Sequence, residues 1–298
     1  MTVAVLAGGP SSEREVSLWT AKTITDALYR LKIPHQLIDP RSPNWLEHLT
    51  AIQPAVVVIA LHGTFGEDGQ IQTILEENRL AFTGSDSVCA AAAFNKQQAK
   101  TTAAELEIAT PQWQIVTNPE PCRIPPPVVV KPNQEGSSYG ITIAWKLHEI
   151  EPAVAVAKEY GREVLIEEYI AGTEVTCAVL DVFGHVQALP LVEIRPETEF
   201  FDFQAKYDAR YCHEICPAEI DSRLTQTVQE QSVAIFQKLG CRQYARIDWI
   251  IRDGIPYFLE INTLPGMTKT SLINKELAAP RVSILINLSP NLLQPLPK

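Results

Sequence analysis

The sequence predicts a three-lobed protein that joins an α/β unit to α+β units. Over the first ninety residues, strand signals alternate with helix signals, and the apolar runs TVAVLAGG and AVVVIAL are typical of a parallel, doubly wound sheet. From Asn95 onwards, a polar helix, a proline-rich connector and hairpin-forming strands indicate a separate antiparallel arrangement. The length of 298 residues also suits several units, because single cores stop growing near roughly 250 to 300 residues.

We expect the lobes to span residues 1–93, 94–166 and 167–298. The last lobe contains a helix pattern near 220–239 and the paired strand patterns RIDWIIR and PYFLEIN. Residues 199–217 show no clean period, and long irregular loops in compact domains are usually lids or binding loops. This segment is therefore predicted to be a mobile cover over a binding site.

Composition and charge restrict the class of protein and its partners. Hydrophobic residues make up 46% of the chain and charged residues 20%, and no apolar run approaches the roughly 18 residues of a membrane span. The start, MTVAVLAGG, has no basic region and is typical of a strand, so we expect a cytoplasmic protein without a membrane partner. A net charge of −10 argues against nucleic acid as a partner, so phosphate chemistry would need local cations and a metal.

Two loops of the N-terminal lobe point to one crevice. GGPSSERE follows the first strand and LHGTFGEDG follows the third, and ligands of such sheets bind beyond the carboxyl ends of the strands. Ser12 and Glu15 fit a capping box at a helix start, which accounts for both residues without a function. Glu13 is not needed for the cap, so its carboxylate either binds a substrate ammonium or remains a solvated first-turn acid. His62 is either a core histidine or a site residue on its loop.

The stretch VVVKPNQEGSSYG, residues 128–140, predicts a phosphate-binding loop. Lys131 ends an apolar strand, where removing its charge from water is costly unless it meets an anion. The following loop offers hydroxyls from Ser137 and Ser138, and its glycines let backbone amides approach a phosphate. It is not a Walker A loop, because no GK[ST] follows and its glycines join two strands. The alternative is an ordinary hairpin with a polar turn.

The stretch RIDWIIRDGIPYFLEIN, residues 246–262, predicts a β-hairpin around its Asp-Gly pair. A two-residue loop pairs Asp248 with Leu259 and sends Asp248 and Glu260 to opposite sides of the sheet. A three-residue loop centred on Gly254 pairs Asp248 with Glu260 instead, so that the two acids share one face. We favour this second register, because it brings the two acids together in one site, whereas the first buries one charged side chain without a partner.

The favoured register predicts a metal site on one face of the hairpin. It also pairs Arg246 with Asn262 and places both on the face of Asp248 and Glu260. Carboxylate and amide oxygens are hard ligands, and a few of them with open positions suit Mg²⁺ that bridges nucleotide phosphates. The alternative is an amphipathic hairpin with one polar face.

Eight ordered motifs resemble those of one family. In the order seen in D-alanine–D-alanine ligases of the ATP-grasp superfamily, the chain contains EREVSL, LHGTFGEDG, Asn-Lys at 95–96, VVVKPNQEGSSYG, VLIEEYIAGTE, FFDFQAKY, RIDW and LEINTLPGMTKTSL. The resemblance runs from Val3 to about residue 277. It implies an ATP-grasp fold in which 1–93 bind substrate, 94–166 form the central subdomain, and 167–298 form the catalytic domain.

The resemblance also implies a nucleotide site between the central and C-terminal lobes. Its ATP-contacting residues would be Lys96, Lys131, Ser138, Glu167, Glu168, Tyr169, Ile170 and Glu174. The two lysines would reach the phosphates, the stretch 167–170 would line the adenine pocket, and Glu174 would bind the ribose hydroxyls. The metal ligands would be Asp248, Glu260 and Asn262, which would hold two Mg²⁺ or Mn²⁺ ions. Lys206 in the lid would approach the γ-phosphate.

The implied reaction joins two D-alanines to D-alanyl-D-alanine for peptidoglycan precursor synthesis. One D-alanine carboxylate attacks the γ-phosphorus of ATP to give an acyl phosphate, and the amine of the second then attacks the activated carbonyl. The catalytic residues would be Glu13, Ser137, Lys206, Tyr207, Arg246 and the backbone N–H of Gly266. The substrate-binding residues would be Glu13 and His62 for the first D-alanine, and Ser271 and the Leu272 amide for the second. A homodimer is also expected from the resemblance.

Three departures from the family pattern bear on the second substrate. Phe203 stands where many relatives have tyrosine, TKTSL replaces the more common TSHSL, and the tail after Ala279 is short. The Lys206-Tyr207 pair still favours an amine acceptor over D-lactate. The alternatives are an ATP-grasp ligase with a different second substrate and a nucleotide-binding regulatory protein without turnover.

Overall fold

The computed structural model describes residues 2–118, 120–196, 212–268 and 271–278. In the N-terminal lobe, a parallel sheet is formed by β1 (Val3–Leu6), β2 (His35–Ile38) and β3 (Val56–Ile59), with β1 in the middle. The helices of this lobe are α1 (Arg14–Arg30), α2 (Trp45–Ala51), α3 (Gln70–Glu77) and α4 (Ser87–Phe94). The parallel sheet predicted from the alternating signals is confirmed.

The central lobe is antiparallel, as its hairpin-forming strands predict. Its strands are β4 (Trp113–Val116), β5 (Val128–Pro132), β6 (Thr142–Ala144) and β7 (Val164–Glu168), in the order β4-β7-β5-β6. Its helices are α5 (Lys96–Glu105) and α6 (Leu147–Lys158). Strand β5 therefore delivers Lys131 to the end of the sheet, and the polar loop 133–141 follows it.

The C-terminal lobe contains the largest sheet in the described residues. Its strands are β8 (Thr173–Val182), β9 (His185–Ala188), β10 (Val192–Pro196), β11 (Cys212–Ile215), β12 (Tyr244–Arg252) and β13 (Ile255–Asn262). The order is β11-β10-β8-β12-β13, and β9 pairs with β8. The helices are α7 (Ser222–Lys238) and α8 (Leu272–Ala278). Among the helices of the described ranges, none has the length and apolar character needed to cross a membrane.

Alternation along β12 separates a packed face from a polar face. Trp249 packs edge-on against Phe258 with ring centroids 5.8 Å apart, and its indole N–H donates to the Ser232 hydroxyl of α7 at 3.0 Å. Neighbouring side chains on a strand point to opposite faces. Arg246 and Asp248 therefore lie on the face that α7 leaves open.

Strand pairing bears on the predicted domain boundaries, which stay predictions. The boundary at 166/167 falls inside β7, and the chain passes from the central to the C-terminal sheet between Glu168 and Thr173. Helices α4 and α5 share a core with the C-terminal sheet, through buried residues such as Ala93 and Ala103. The lobes are thus joined by shared packing as well as by the chain.

The end of the predicted lid segment 199–217 is a strand. Residues 212–215 form β11, which pairs antiparallel with β10, for example His213 opposite Arg195. The expectation of an irregular loop is wrong there, because the edge of β10 offers backbone groups that extend the sheet. Residues 199–211, which include Phe203, lie outside the described residues.

The predicted capping box at α1 is wrong. The helix begins at Arg14 with Glu13 as its N-cap, and no side chain caps it. The Ser11 hydroxyl instead accepts the Glu13 N–H at 3.0 Å. The Glu13 carboxylate leaves the helix end because it accepts a hydrogen bond from Ser137 of the central lobe.

The hairpin of β12 and β13 has the favoured pairing but not the favoured turn. Arg252 pairs with Ile255, so the turn has only two residues, Asp253 and Gly254, with φ of 52° and 77°. A three-residue loop is therefore wrong, because an Asp-Gly pair adopts these left-handed angles readily. The register shifts next to Asp248 instead.

That shift is a β-bulge at Leu259, and it restores the predicted pairing. Trp249 pairs with Phe258, whereas Asp248 pairs with Glu260, so Leu259 is the extra residue. A bulge adds one residue to one strand and re-aims the side chains beyond it. The predicted pairs Asp248 with Glu260 and Arg246 with Asn262 are confirmed.

The link between β7 and β8 generates a test of the fold. A Cβ atom at Gly172 would collide with the backbone carbonyl of Ile251, whereas one at Gly161 would have neighbours only at 3.8 and 4.0 Å. We expect Gly172→Ala to lower the free energy of unfolding by about 1 to 3 kcal/mol, because backbone cannot move aside easily. Gly161→Ala should change it by less than about 0.5 kcal/mol. Urea unfolding measures both, and equal stabilities would contradict the close approach.

Candidate active site

A cavity of about 580 Å³ is lined by strands of the central and C-terminal sheets. The predicted site residues that line it are Lys131, Ser138, Glu167, Glu168, Tyr169, Ile170, Glu174, Arg246, Asp248, Glu260, Gly266, Ser271 and Leu272. The predicted nucleotide, metal and second-substrate residues thus share one concave site. Cavities of this size suit small-molecule ligands.

A second cavity of about 100 Å³ adjoins the first and shares Arg246, Glu260 and Gly266 with it. The remaining predicted residues line it, namely Glu13, His62, Lys96, Ser137 and Asn262. Every predicted site residue in the described ranges therefore lines one of two joined cavities. Lys206 and Tyr207 lie outside the described residues.

Glu167 binds two lysines at the deep wall of the larger cavity. Its carboxylate lies 2.6 Å from the Lys131 ammonium and 2.7 Å from that of Lys100. Lys100 also donates to the Thr110 hydroxyl at 2.8 Å, and this hydroxyl donates to the Phe258 carbonyl of β13. All three charged groups are buried, so each needs the others to offset its loss of water.

The pKa values of this cluster follow from burial and charge. Burial lowers the pKa of Lys100 to about 8, although Glu167 acts in the opposite direction. Burial would also lower the pKa of Lys131, but the Glu167, Glu260 and Glu174 carboxylates outweigh it and raise that pKa. Burial would raise the pKa of Glu167, but the two lysines lower it. Lys131 therefore keeps its positive charge facing the cavity.

Lys96 places a second cation at the junction of the cavities. It is the first residue of α5, where Asn95 caps the helix by accepting the Gln98 N–H. The Lys96 ammonium lies 3.5 Å from Glu260 and donates to the Glu135 carbonyl at 2.6 Å. The helix start thus brings a charge from α5 to the polar face of the hairpin.

The polar face of the hairpin carries the predicted metal ligands. Asp248 and Glu260 are direct cross-strand partners, which places their Cβ atoms about 4.5 to 5.5 Å apart. Arg246 grips Asp248 with two hydrogen bonds of 2.9 Å, and Thr176 donates to the same carboxylate at 2.6 Å. Burial would lower the pKa of Arg246, but Asp248 outweighs it and raises that pKa.

The chemistry of this donor set fits a hard divalent cation. Asp248 and Glu260 supply carboxylate oxygens, and the amide oxygen of Asn262 is held in place by the Leu264 N–H at 2.9 Å. Mg²⁺ is usually bound by one or two carboxylates and completes its shell with water and substrate phosphates. Nowhere in the described ranges do three or more acidic, histidine or cysteine side chains cluster for a metal. Two carboxylates and an amide oxygen leave coordination positions open, which suits a metal that also binds substrate phosphate.

Part of the wall of the larger cavity is formed by aromatic and aliphatic side chains. Tyr169 lies against Trp145 with ring centroids 5.3 Å apart, and buried Ile170 lies beside it. Glu168 is held by Arg252 at 3.0 Å. An aromatic and aliphatic wall with fixed polar groups suits a planar base such as adenine.

Glu13 links the N-terminal lobe to the polar loop of the central lobe. The Ser137 hydroxyl donates to its buried carboxylate, and a Cβ at Gly136 would collide with the same carboxylate. Ser137 and Ser138 both have left-handed backbones, with φ of 49° and 61°. Such angles cost energy in residues other than glycine and cluster at ligand-binding sites.

His62 lies at the floor of the smaller cavity. Its ring is 2.9 Å from the Thr20 hydroxyl and 3.2 Å from the Glu67 carboxylate. These two partners orient the ring, and the ring is almost fully buried. His62 is therefore a buried histidine whose ring has hydrogen-bonding partners, and it also lines the cavity. Both interpretations of the sequence, a core histidine and a site residue, thus apply to it.

Comparison with known proteins identifies the family. A profile described as "D-ala D-ala ligase C-terminus" matches residues 103–284. A D-alanine–D-alanine ligase of Methylacidiphilum infernorum is 41% identical over 271 residues, which cover 91% of this chain and 87% of the relative. The chain belongs to the D-alanine–D-alanine ligase family. A D-alanine–D-alanine ligase of Maridesulfovibrio salexigens is 40% identical, with 92% and 91% of the two chains covered.

Solved structures of family members have the same fold. The D-alanine–D-alanine ligase of Bacillus anthracis matches with a TM-score of 0.82 and 35% identity, over 97% of this chain and 95% of that one. Its complex with ATP matches with a TM-score of 0.81 and 32% identity, over the same shares. The VanG D-Ala:D-Ser ligase of Enterococcus faecalis matches with 0.78 and 27%, over 92% and 93%. The predicted ATP-grasp fold is confirmed.

Several residues of this family member's site were missed from the sequence. Lys100 lies in a helix with a polar pattern that predicts a solvated face, and Thr176 lies in an apolar strand. Leu259, the extra residue of the bulge, also lines the cavity. A lysine four residues after Lys96, one helical turn away on the same face, was the available signal for Lys100.

The buried lysine cluster generates a test by pH. The folded-state pKa of Lys100, about 8, is below its ordinary value of 10.5. Between these pH values the unfolded chain holds a proton that the folded chain has released, so stability rises with pH. From pH 8 to 10, the wild type should gain about 1 to 3 kcal/mol relative to Lys100→Met, which lacks this proton. Urea unfolding across the range measures the difference, and parallel curves would contradict it.

Proposed function

We propose that the protein joins two D-alanines to D-alanyl-D-alanine with ATP, as a step towards peptidoglycan precursors. Family membership supports ATP use and a ligase activity. The main structural support is that the Asp248–Glu260 pair and the Lys131–Glu167 pair line one cavity. This cavity adjoins the smaller cavity that Glu13 lines. This arrangement places cations, metal ligands and an ammonium-binding carboxylate around a single reaction centre.

In the first step, the carboxylate of one D-alanine attacks the γ-phosphorus of ATP and ADP leaves. Lys131 and Lys96 hold the phosphate oxygens, and the backbone around Ser138 closes over them. Mg²⁺ bound by Asp248, Glu260 and Asn262 would neutralise phosphate charge during transfer. Glu13 binds the ammonium of this D-alanine, with Ser137 fixing the carboxylate.

In the second step, the amine of another D-alanine attacks the acyl phosphate and inorganic phosphate leaves. Arg246 and the Gly266 N–H stabilise the oxyanion of the tetrahedral intermediate, because both line the junction of the two cavities. Ser271 and the Leu272 amide bind the carboxylate of this second D-alanine. Asp248 holds Arg246 rigid, so its charge needs no reorganisation during the reaction.

A second candidate keeps the first step and changes the acceptor. A D-Ala:D-Ser ligase is among the solved structures that this chain resembles. The TKTSL segment departs from the common family pattern beside the predicted acceptor site. The acceptor is then D-serine or another small D-amino acid in place of D-alanine. A homodimer and a cytoplasmic location also stay predictions.

Mass spectrometry of the products tests the proposal. The protein is incubated with ATP, Mg²⁺ and D-alanine, and with D-alanine plus D-serine or D-lactate at equal concentrations. We expect one D-alanyl-D-alanine for each ADP and phosphate, with D-alanine preferred as acceptor. A mixed product in excess would favour the second candidate. Phosphate release at background with every amine would indicate a regulatory protein instead.

The hairpin face generates a test of the metal site. We expect Glu260→Gln to lower the rate of ADP formation by at least about 100-fold, because a lost ligand carboxylate removes several kcal/mol of charge stabilisation. Asp253→Asn is a matched control, since it makes the same change at the exposed turn of the same hairpin. Rates over a Mg²⁺ titration measure both, with urea unfolding as a check of the fold. A wild-type rate in Glu260→Gln would refute the assignment.

A further inference from the structure

Glu276 is a buried carboxylate that the proposed reaction does not use. It lies on α8 and is fully shielded from solvent. Both of its carboxylate oxygens accept the backbone N–H of Ala178, each at 3.1 Å. Burying a carboxyl group costs free energy, because the group loses its hydrogen bonds to water, and only hydrogen bonds within the protein offset this cost.

The Ala178 N–H needs this partner because of a gap at the edge of β8. On that edge, β10 pairs with β8 as far as Thr176, and β9 pairs with it from Val179. The Ala178 carbonyl accepts the Leu189 N–H, but its own N–H points to the gap between the two strands. Glu276 therefore replaces a missing strand partner at this position.

The same position is next to the arginine of the reaction centre. Ala178 is the cross-strand partner of Arg246 on β12, so the two residues share one face of the sheet. Burial raises the pKa of Glu276 well above its usual range, while the charge of Arg246 acts in the opposite direction. The contact of Glu276 with β8 is thus one strand away from Arg246.

The chain between this contact and the larger cavity is short. Leu272 packs against Val192 and Ile194, and Ser271 accepts the Thr268 N–H at 2.8 Å. Ser271 and Leu272 both line the larger cavity. Little more than one helical turn separates them from Glu276, so its position is transmitted through a rigid segment.

We propose that Glu276 is a positioning residue for the second substrate: by binding the Ala178 N–H, it sets the distance between Arg246 and the acceptor-binding residues Ser271 and Leu272. This inference rests on the proposed function. It assigns Glu276 no contact with substrate. Its effect is on how well the acceptor fits against the oxyanion-stabilising arginine.

Initial-rate kinetics over D-alanine, which separate the Michaelis constants of the two substrates, test this role. Glu276→Met keeps length and packing but removes the acceptor oxygens, and it should raise the constant for the second D-alanine about tenfold. The constants for ATP and the first D-alanine should stay within about twofold. Glu276→Gln keeps one acceptor oxygen and should restore most of the acceptor affinity. Glu276→Asp, which shortens the reach, is a milder test should Glu276→Met not fold.

Amide hydrogen exchange provides a readout without turnover. The Ala178 amide should exchange faster in Glu276→Met and stay protected in Glu276→Gln. Ser232→Ala is the matched control, because it removes a buried hydroxyl, the acceptor for Trp249, on the opposite face of the same sheet and leaves the Glu276 contact intact, so it should change neither readout. Unchanged exchange in Glu276→Met, or an equal rise of all three Michaelis constants, would overturn the role. If the wild type forms no dipeptide, the proposed function is wrong. Amide exchange in Glu276→Met then still shows whether Glu276 protects the Ala178 N–H.

Discussion

The pairing of Asp248 with Glu260 is the constraint on which the site depends. The Asp-Gly turn alone would pair Asp248 with Leu259, and the bulge at Leu259 shifts the strand by one residue. Because side chains alternate along a strand, a one-residue shift decides which face receives Glu260 and Asn262. The bulge therefore places Glu260 and Asn262 on the same face as Asp248 and Arg246. This is the face that α7 leaves open, and it lies opposite the end of β5 that carries Lys131.

The ion pairs differ between the central-lobe side of the larger cavity and the side formed by the β12–β13 hairpin. On the central-lobe side, one carboxylate, Glu167, pairs with two lysines, so this cluster of three has an excess of positive charge. On the floor, Asp248 is neutralised by Arg246, and Glu260 lies near Lys96. A chain with a net charge of −10 thus still places buried lysines around this cavity, which is consistent with a nucleotide ligand and not with a polyanion-binding surface.

Much of the fold and site followed from the sequence because the signals were local. The parallel strands, the loop after Lys131 and the Asp-Gly turn each have a period or a residue pair that physical rules interpret directly. The bulge did not follow, because nothing in the letters around Leu259 marks an extra residue. The capping box of Ser12 and Glu15 failed because the helix begins one residue later, with Glu13 as its N-cap, and the Ser12 hydroxyl donates to Glu135, which is more than a hundred residues away in sequence.

The other misses have the same origin. Lys100 and Glu276 both lie in helices whose sequences suit solvent exposure, and only tertiary packing buries them. Their partners, Glu167 and the Ala178 N–H, belong to other elements and are distant in sequence. The sequence shows which residues are ionisable. It does not show the buried partners, such as an unpaired N–H at a sheet edge, because these arise only when the strands pair.

In the proposed function, the hydrogen bond from Ser137 to Glu13 links the amino-acid site to the nucleotide site. One carboxylate belongs to the N-terminal lobe, while its hydroxyl partner belongs to the loop beside Lys131. Any ligand that orders this contact from one side makes the other pocket better formed, and thermodynamic reciprocity requires the converse. In the proposed reaction, a loop held in place by this hydrogen bond would also keep water away from the acyl phosphate, so one contact between lobes would serve both binding and protection of the intermediate.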